Sequence, residues 1–331
     1  MRSLRSIPLV AALVFAASLA ALPAGAAPAV DELPDLAMKP PVWVFSDTKV
    51  GIGGIVVQTP PVCGTPSDGF EVIRVTDPCP AEAPGDRWLR FGTLLMNIGP
   101  GPLRLVGSRD PGDEVMVAKQ RVRRSNGRWR TVESGATIRW AAEQDGHDHW
   151  HTDAMESYRL FPVAGPGDVL LGRKAGFCFF DGVRVRPGKR SDPEAYSFFS
   201  CAANRFTAQD AQEALSITVG MSRGWGDLYP WDYAGQRIDI SDEEQVPDGD
   251  YLVCVTADPL DTVRESREDN NDAWSLIRIA TEPDPYRTAV TVLASGRSAC
   301  QGQLTYPIAS AAAAFRRGGH DHTTHEHAHG G

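Results

Sequence analysis

Several common features are missing from this 331-residue sequence. Lys and Arg form no cluster, and acidic residues outnumber them 42 to 33, for a formal net charge of -9. A nucleic-acid binder needs a basic face, so that class is disfavoured. An acidic chain suits cationic partners better, among them amines and Lys-rich polypeptides. No repeat of fixed period is visible, and no HExxH occurs in residues 27–307. A zinc hydrolase reading therefore has little to stand on. None of the six cysteines sits in a CxxC pair. Beyond residue 26 no stretch reaches the ~18 apolar residues that a membrane-spanning helix needs.

What is present begins with a leader. Arg2 and Arg5 precede an apolar run from Ile7 to about Leu22, and Ala24-Gly25-Ala26 supplies small residues for cleavage. Residues 1–26 read as a secretory signal. The competing reading is a membrane anchor, which the shortness of the run and Pro23 disfavour. Removing the leader removes two Arg and no acid, so 31 basic and 42 acidic residues remain, net -11. Export permits disulfides. Cys63, Cys79, Cys178, Cys201, Cys254 and Cys300 read as staples, with sequential pairing expected.

Gly 32 and Pro 25 point to many turns. From Val42 onward, short β-rich runs alternate with turn residues. The pattern predicts an all-β fold, a single β-sandwich-type catalytic domain with long loops and few short helices. Gly99-Pro100-Gly101-Pro102 and Asp248-Gly249-Asp250 read as hairpin connections. Only Ala208–Leu215 and Ala311–Arg317 favour a helix. The expected domains are the 1–26 signal, a 27–307 catalytic domain and a 308–331 His-rich tail. Its last stretch, Gly318 to Gly331, reads GGHDHTTHEHAHGG, has no apolar periodicity and is expected to be disordered. It is either a soluble end or a loose metal trap.

Histidine is distributed unevenly. Five of the eight lie in the tail, and the other three are His147, His149 and His151 in DGHDHWH. In a strand, residues two apart share a face at ~6.6 Å, so three imidazoles can converge on one ion. On a helix the middle ring would splay away. Three nitrogen donors with open positions suit a reactive Cu(II) or Zn(II) site. A chance cluster in a polar turn is the bland alternative.

HDHWH followed by Met155, Glu156, Tyr158 and Leu160 resembles the copper segment of lysyl oxidases. Further stretches are similar in order: Leu33-Pro34-Asp35-Leu36, Leu89-Arg90-Phe91 with Asn97 and Gly99, and Gly172 to Cys178. Asp227-Leu228-Tyr229 with Ile238 to Asp242, Gly249 to Val253, and Glu265 to Asn271 follow. The chain is thereby identified as a member of the lysyl oxidase (protein-lysine 6-oxidase) family. The resemblance implies a secreted, copper- and quinone-dependent amine oxidase. Its lysyl tyrosylquinone would be built from Lys174 and Tyr229, which occupy the matching positions. Its substrates would be O2 and a primary amine or Lys-containing polypeptide, with no nucleic acid and no membrane after signal cleavage.

Without that resemblance, Lys174 reads as an ordinary strand lysine. Tyr229 reads as one member of an aromatic stretch in which Tyr233 is its rival. Asp227 is the first candidate for the α-proton base, and Asp153 the second, or else an acceptor that orients His151. The resemblance also implies a calcium site from Asp35, the Leu36 carbonyl, Glu265, Asn270 and Asn271, all oxygen donors. Arg267 stands where the family more often has an acid. The leader runs directly into the domain, without a long propeptide or scavenger-receptor modules, so collagen and elastin are not implied as substrates. The alternative reading is a non-catalytic extracellular copper- or zinc-binding β-sandwich, which needs neither Lys174 nor Tyr229.

Overall fold

A computed structural model describes residues 28–48, 87–141, 148–163, 169–172, 174, 176–186, 191–231, 236–281 and 288–300. The leader, Cys63, Cys79, the predicted strands Gly54–Gln58 and Phe70–Val75, the predicted helix Ala311–Arg317, His147, Tyr233 and the His-rich tail lie outside the described residues.

Strands dominate, and every strand pairing among the described residues is antiparallel. Elements are numbered in chain order. The first sheet runs β11 (Gly176–Phe177), β8 (His149–Asp153), β7 (Trp129–Ala141), β6 (Val115–Arg124), β5 (Leu103–Ser108) and β13 (Ser216–Met221), with β1 (Asp31–Glu32) on β6. The second runs β10 (Leu170–Leu171), β9 (Glu156–Pro162), β16 (Gly249–Ala257), β17 (Asp272–Thr281) and β18 (Thr288–Gly296). The third runs β12 (Val183–Arg184), β14 (Trp225–Tyr229), β4 (Arg87–Asn97) and β15 (Arg237–Asp239). There β2 (Leu36–Met38) and β3 (Val42–Thr48) also pair with β4. The two helices among the described residues are short, α1 (Phe198–Cys201) and α2 (Ala208–Gln212).

The all-β expectation holds. In β6, Met116, Ala118, Gln120 and Val122 point inward while Val117, Lys119 and Arg121 face outward to varying degrees, the period-two pattern of a sheet with one buried face. One apolar core joins all three sheets through Leu105, Ile138, Phe91, Leu95, Val253 and Ile277. The longest strand, β7, is one the sequence reading passed over. Its WRTVESGATIRWA carries many charged and small residues, and neighbouring strands on both sides override that weak local preference.

Two hairpin readings are corrected. β4 and β5, on either side of Gly99 to Pro102, belong to different sheets, as do β15 and β16 around Asp248 to Asp250. Gly99 and Gly101 instead permit close backbone approach. The Gly101 N–H donates to the Leu33 carbonyl at 3.0 Å, and a Cβ on Gly101 would lie 1.9 Å from the Glu32 oxygen. The glycines mark a crossing of chain segments, a role that local sequence does not distinguish from a turn.

Two expected disulfides are present, Cys178–Cys201 and Cys254–Cys300. The latter pair lies beside Asp272, but its sulfurs are spent in the bridge and hold no metal. No helix among the described residues is long and apolar enough to cross a membrane.

Candidate active site

His149 to Asp153 form the strand that the alternation predicts. On β8, Trp150 and Thr152 point into the core, while His149 and His151 share the other face. The Trp150 indole N–H donates to the Ala211 carbonyl at 2.7 Å, which fixes the strand's roll. The Nε2 atoms of His149 and His151 then approach to 2.8 Å, and Phe198 of α1 packs edge-on against His149 at 4.8 Å. Asp153 shares their face, yet its carboxylate accepts from Thr137 at 2.7 Å and Arg139 at 2.8 Å. Those bonds tie it to β7.

β11 joins the Lys174 segment to this strand, with Gly176 opposite Asp153 and Phe177 opposite Thr152. Gly176 is required there. A Cβ at that position would sit 2.7 Å from the His151 ring. The same close packing recurs at Gly172, where a Cβ would be 2.6 Å from the Tyr158 side chain. Lys174 is thereby folded inward, with only 6% of its surface exposed. Its ammonium lies over the Tyr229 ring, 4.9 Å from the centroid, and over Phe177 at 5.2 Å. Phe177 meets Tyr229 edge-on at 5.3 Å. The Tyr229 hydroxyl donates to the Cys178 carbonyl at 2.8 Å, and the Cys178–Cys201 bridge ties that carbonyl's residue to α1.

Asp227 precedes Tyr229 by two residues on β14 and is almost fully enclosed. Burial drives its carboxyl well above the usual range, against the opposing pull of the Tyr229 hydroxyl and the Lys174 charge. Burial likewise raises the Tyr229 phenol, and the Asp227 and Glu156 carboxylates add to that shift.

The sequence assigned no role to Glu156 or to the residues that hold it. Thr93 lies opposite Tyr229 in the β4–β14 register. Its hydroxyl donates to Oε2 of Glu156 at 3.2 Å, and Tyr158 donates to the same oxygen at 3.0 Å. Gln236 completes the cluster through Tyr158 at 3.1 Å and Thr93 at 3.2 Å. Burial pushes Glu156 up to about 7, while Tyr158, Thr93 and the Lys174 charge restrain it. Glu156 and Tyr158 stood in the resembling segment, but only the third dimension shows that they reach Thr93.

A separate oxygen-rich cluster forms where β2 meets the 265–271 loop. Gln120 clamps that loop, exchanging hydrogen bonds with the backbone of Arg264 at 2.8 and 2.9 Å. Glu265 accepts from the Leu36 N–H and, at 3.1 Å, from Asn271; Asn270 donates to Asp35 at 2.7 Å. All five residues named from the sequence therefore come together. The side-chain oxygens of Asn270 and Asn271 are buried and accept no hydrogen bond. Buried orphan oxygens beside crowded carboxylates fit a hard cation such as calcium. Arg267 is turned to Asp269 instead, at 3.0 Å.

Residues 124–283 match the family model described as Lysyl oxidase. That stretch is a lysyl oxidase domain. It takes in the histidine strand, Lys174, Asp227, Tyr229 and the 265–271 loop, while the Leu33–Leu36 segment and β4 precede it. The chain is also similar to lysyl oxidase homolog 2 of Rattus norvegicus and of Mus musculus. Each is 31% identical over 144 residues, covering 43% of this chain and 15% of the relative. The match thus spans about 15% of the length of these curated relatives.

Proposed function

We propose that this protein is a secreted copper-dependent amine oxidase. It converts peptidyl-lysine or other primary amines to aldehydes, using a lysyl tyrosylquinone made from Lys174 and Tyr229. One amine, one O2 and one water give one aldehyde, one ammonia and one H2O2. The observation that carries this reading is the buried Lys174 ammonium 4.9 Å from the centroid of the Tyr229 ring, in a segment whose Gly176 packs against the His151 ring. A protein that only captures metal needs no such lysine, so the metal-binding alternative gains nothing from it.

His149 and His151, joined by His147, would hold the copper, and their nitrogen donors suit Cu(II). When present, copper with O2 supplies the oxidising chemistry for the Tyr229 ring, and the resulting quinone supplies an electrophilic carbonyl. The chain's own residues do the rest. The Cys178 carbonyl holds the Tyr229 oxygen, and Phe177 holds the ring's edge. Asp227, a stronger base because it is buried, takes the α-proton of the bound amine. Asp35, Leu36, Glu265, Asn270 and Asn271 would bind calcium away from this chemistry and pin β2 to the 265–271 loop.

The test is a digest of the copper-loaded protein and mass spectrometry of the Lys174 and Tyr229 peptides. A covalent link with a quinone mass, together with peroxide release from primary amines, is expected. Tyr229→Phe should abolish both and keep copper. Unlinked peptides despite copper and O2, or full activity in Tyr229→Phe, would overturn the assignment.

A further inference from the structure

The core around Tyr229 encloses one ammonium and two carboxyls, Lys174, Asp227 and Glu156. Asp227 is assigned above to the substrate proton. That leaves Glu156 without a task, although it is 0% exposed and held by two hydroxyl donors. Only Oε2 receives those hydrogen bonds. Oε1 is buried and has no hydrogen-bond partner. A buried carboxyl oxygen left open is costly to keep unless it is used.

Thr93, which donates to Glu156 at 3.2 Å, lies opposite Tyr229, and the Lys174 ammonium lies 4.9 Å from the centroid of that tyrosine's ring. The geometry points to Glu156 as the proton acceptor for Lys174, which turns the lysine Nζ into a nucleophile toward the oxidised Tyr229 ring. This rests on the proposed function, since it concerns the making of that cofactor. An N–H bond of the Lys174 ammonium breaks and its electron pair stays on Nζ. An O–H bond forms on Glu156, at the open Oε1. No redox change is involved, and a buried ion pair becomes two neutral groups, which a low-dielectric interior favours. Thr93 donates to Oε2 while accepting from Gln236, and Tyr158 shares its one hydroxyl proton between Oε2 and the Gln236 side-chain oxygen.

The titratable groups that act on this cluster are Tyr158 on β9, Lys174 before β11, and Asp227 and Tyr229 on β14. Burial raises both tyrosines and Asp227. Burial lifts Glu156 to about 7, near neutrality. A carboxylate there accepts a proton readily and still ionises in ordinary buffers.

Two readouts test this on the full-length protein. The first uses copper-free protein and reductive methylation by formaldehyde with cyanoborohydride, following the Lys174 peptide by mass spectrometry against pH. Ionised Glu156 favours the ammonium, so Glu156→Gln should lower the labelling midpoint by about one pH unit. Thr93→Val removes a donor that favours the carboxylate, and should move the midpoint the same way by less. Superimposable profiles for wild type and both variants would overturn the proposal. The second readout adds copper and O2 and times the Lys174–Tyr229 link. At a pH below the labelling midpoint of both proteins, where Lys174 is still an ammonium, Glu156→Gln should bind copper normally and form the link about 100-fold more slowly. A link made at the wild-type rate would overturn the proposal too. Wild-type protein that never links would instead defeat the proposed function, and the labelling midpoint would still decide whether Glu156 acts on Lys174.

Discussion

Removing the Cys178–Cys201 bridge, by Cys178→Ala with Cys201→Ala, should damage stability and the site together. The two cysteines are 23 residues apart, and closing that loop in the unfolded chain is worth about 3.4 kcal/mol at 25 °C. Cys254 and Cys300 are 46 apart, which by the same entropy gives about 4 kcal/mol. On stability alone, the second bridge matters slightly more. The site reverses that order. Cys178 offers its carbonyl to the Tyr229 hydroxyl, and Cys201 ends α1, whose Phe198 lies on His149. Urea unfolding of both double variants should show losses of similar size, each a few kcal/mol. Under conditions where both variants remain folded, only the Cys178–Cys201 variant should slow formation of the Lys174–Tyr229 link and weaken copper retention. An equal functional loss in the Cys254–Cys300 variant would refute the argument, because that bridge joins β16 to the end of the described chain, in a small cluster apart from the main core.

Gly176→Ala places a Cβ against the His151 ring and should cost about tenfold or more in copper affinity, measured by chelator competition; unchanged affinity would mean the ring can move aside freely. Glu265→Gln tests the oxygen cluster. Burial, with Glu268 and Asp258 adding to it, lifts Glu265 from 4.5 to about 9 in the folded chain. A raised carboxyl gives stability that is full below pH 4.5 and is lost as pH rises through 9, so at pH 7 the loss is about 3 kcal/mol. In chelator, Glu265→Gln should therefore raise the melting temperature at pH 7 and not at pH 4, and added Ca2+ should stabilise wild type more than the variant. Equal melting temperatures at both pH values would disprove the crowding. Trp150→Phe removes the indole bond to Ala211 and should cost about 1 kcal/mol, read by denaturation; no loss would mean the strand is fixed by packing alone.

The histidine face was legible because a strand has one rule. Residues two apart share a side, so an extended chain from His149 to His151 was enough for the two rings to meet. The all-β class followed from the same alternation. The connections were not legible. Gly99 to Pro102 carries turn chemistry, yet it crosses between sheets, because glycine serves a turn and a close backbone crossing equally well. β14, which bears Asp227 and Tyr229, was missed as a strand. Its WGDLY alternates poorly and is stabilised by its pairing with β4 and β12.

By itself, the sequence determined which chemical groups are available and which of them a strand must hold in common. It supplied three spaced imidazoles, a lysine, a tyrosine and, in Cys178, Cys201, Cys254 and Cys300, four cysteines that bridge as expected. Tertiary structure alone decided that Lys174, 55 residues before Tyr229, folds over its ring, and that Glu156 reaches Thr93 opposite that tyrosine. Local periodicity sets the direction of a side chain along one strand. It says nothing about which strand arrives from another sheet, and the buried charges of this site exist only where those sheets close on one another.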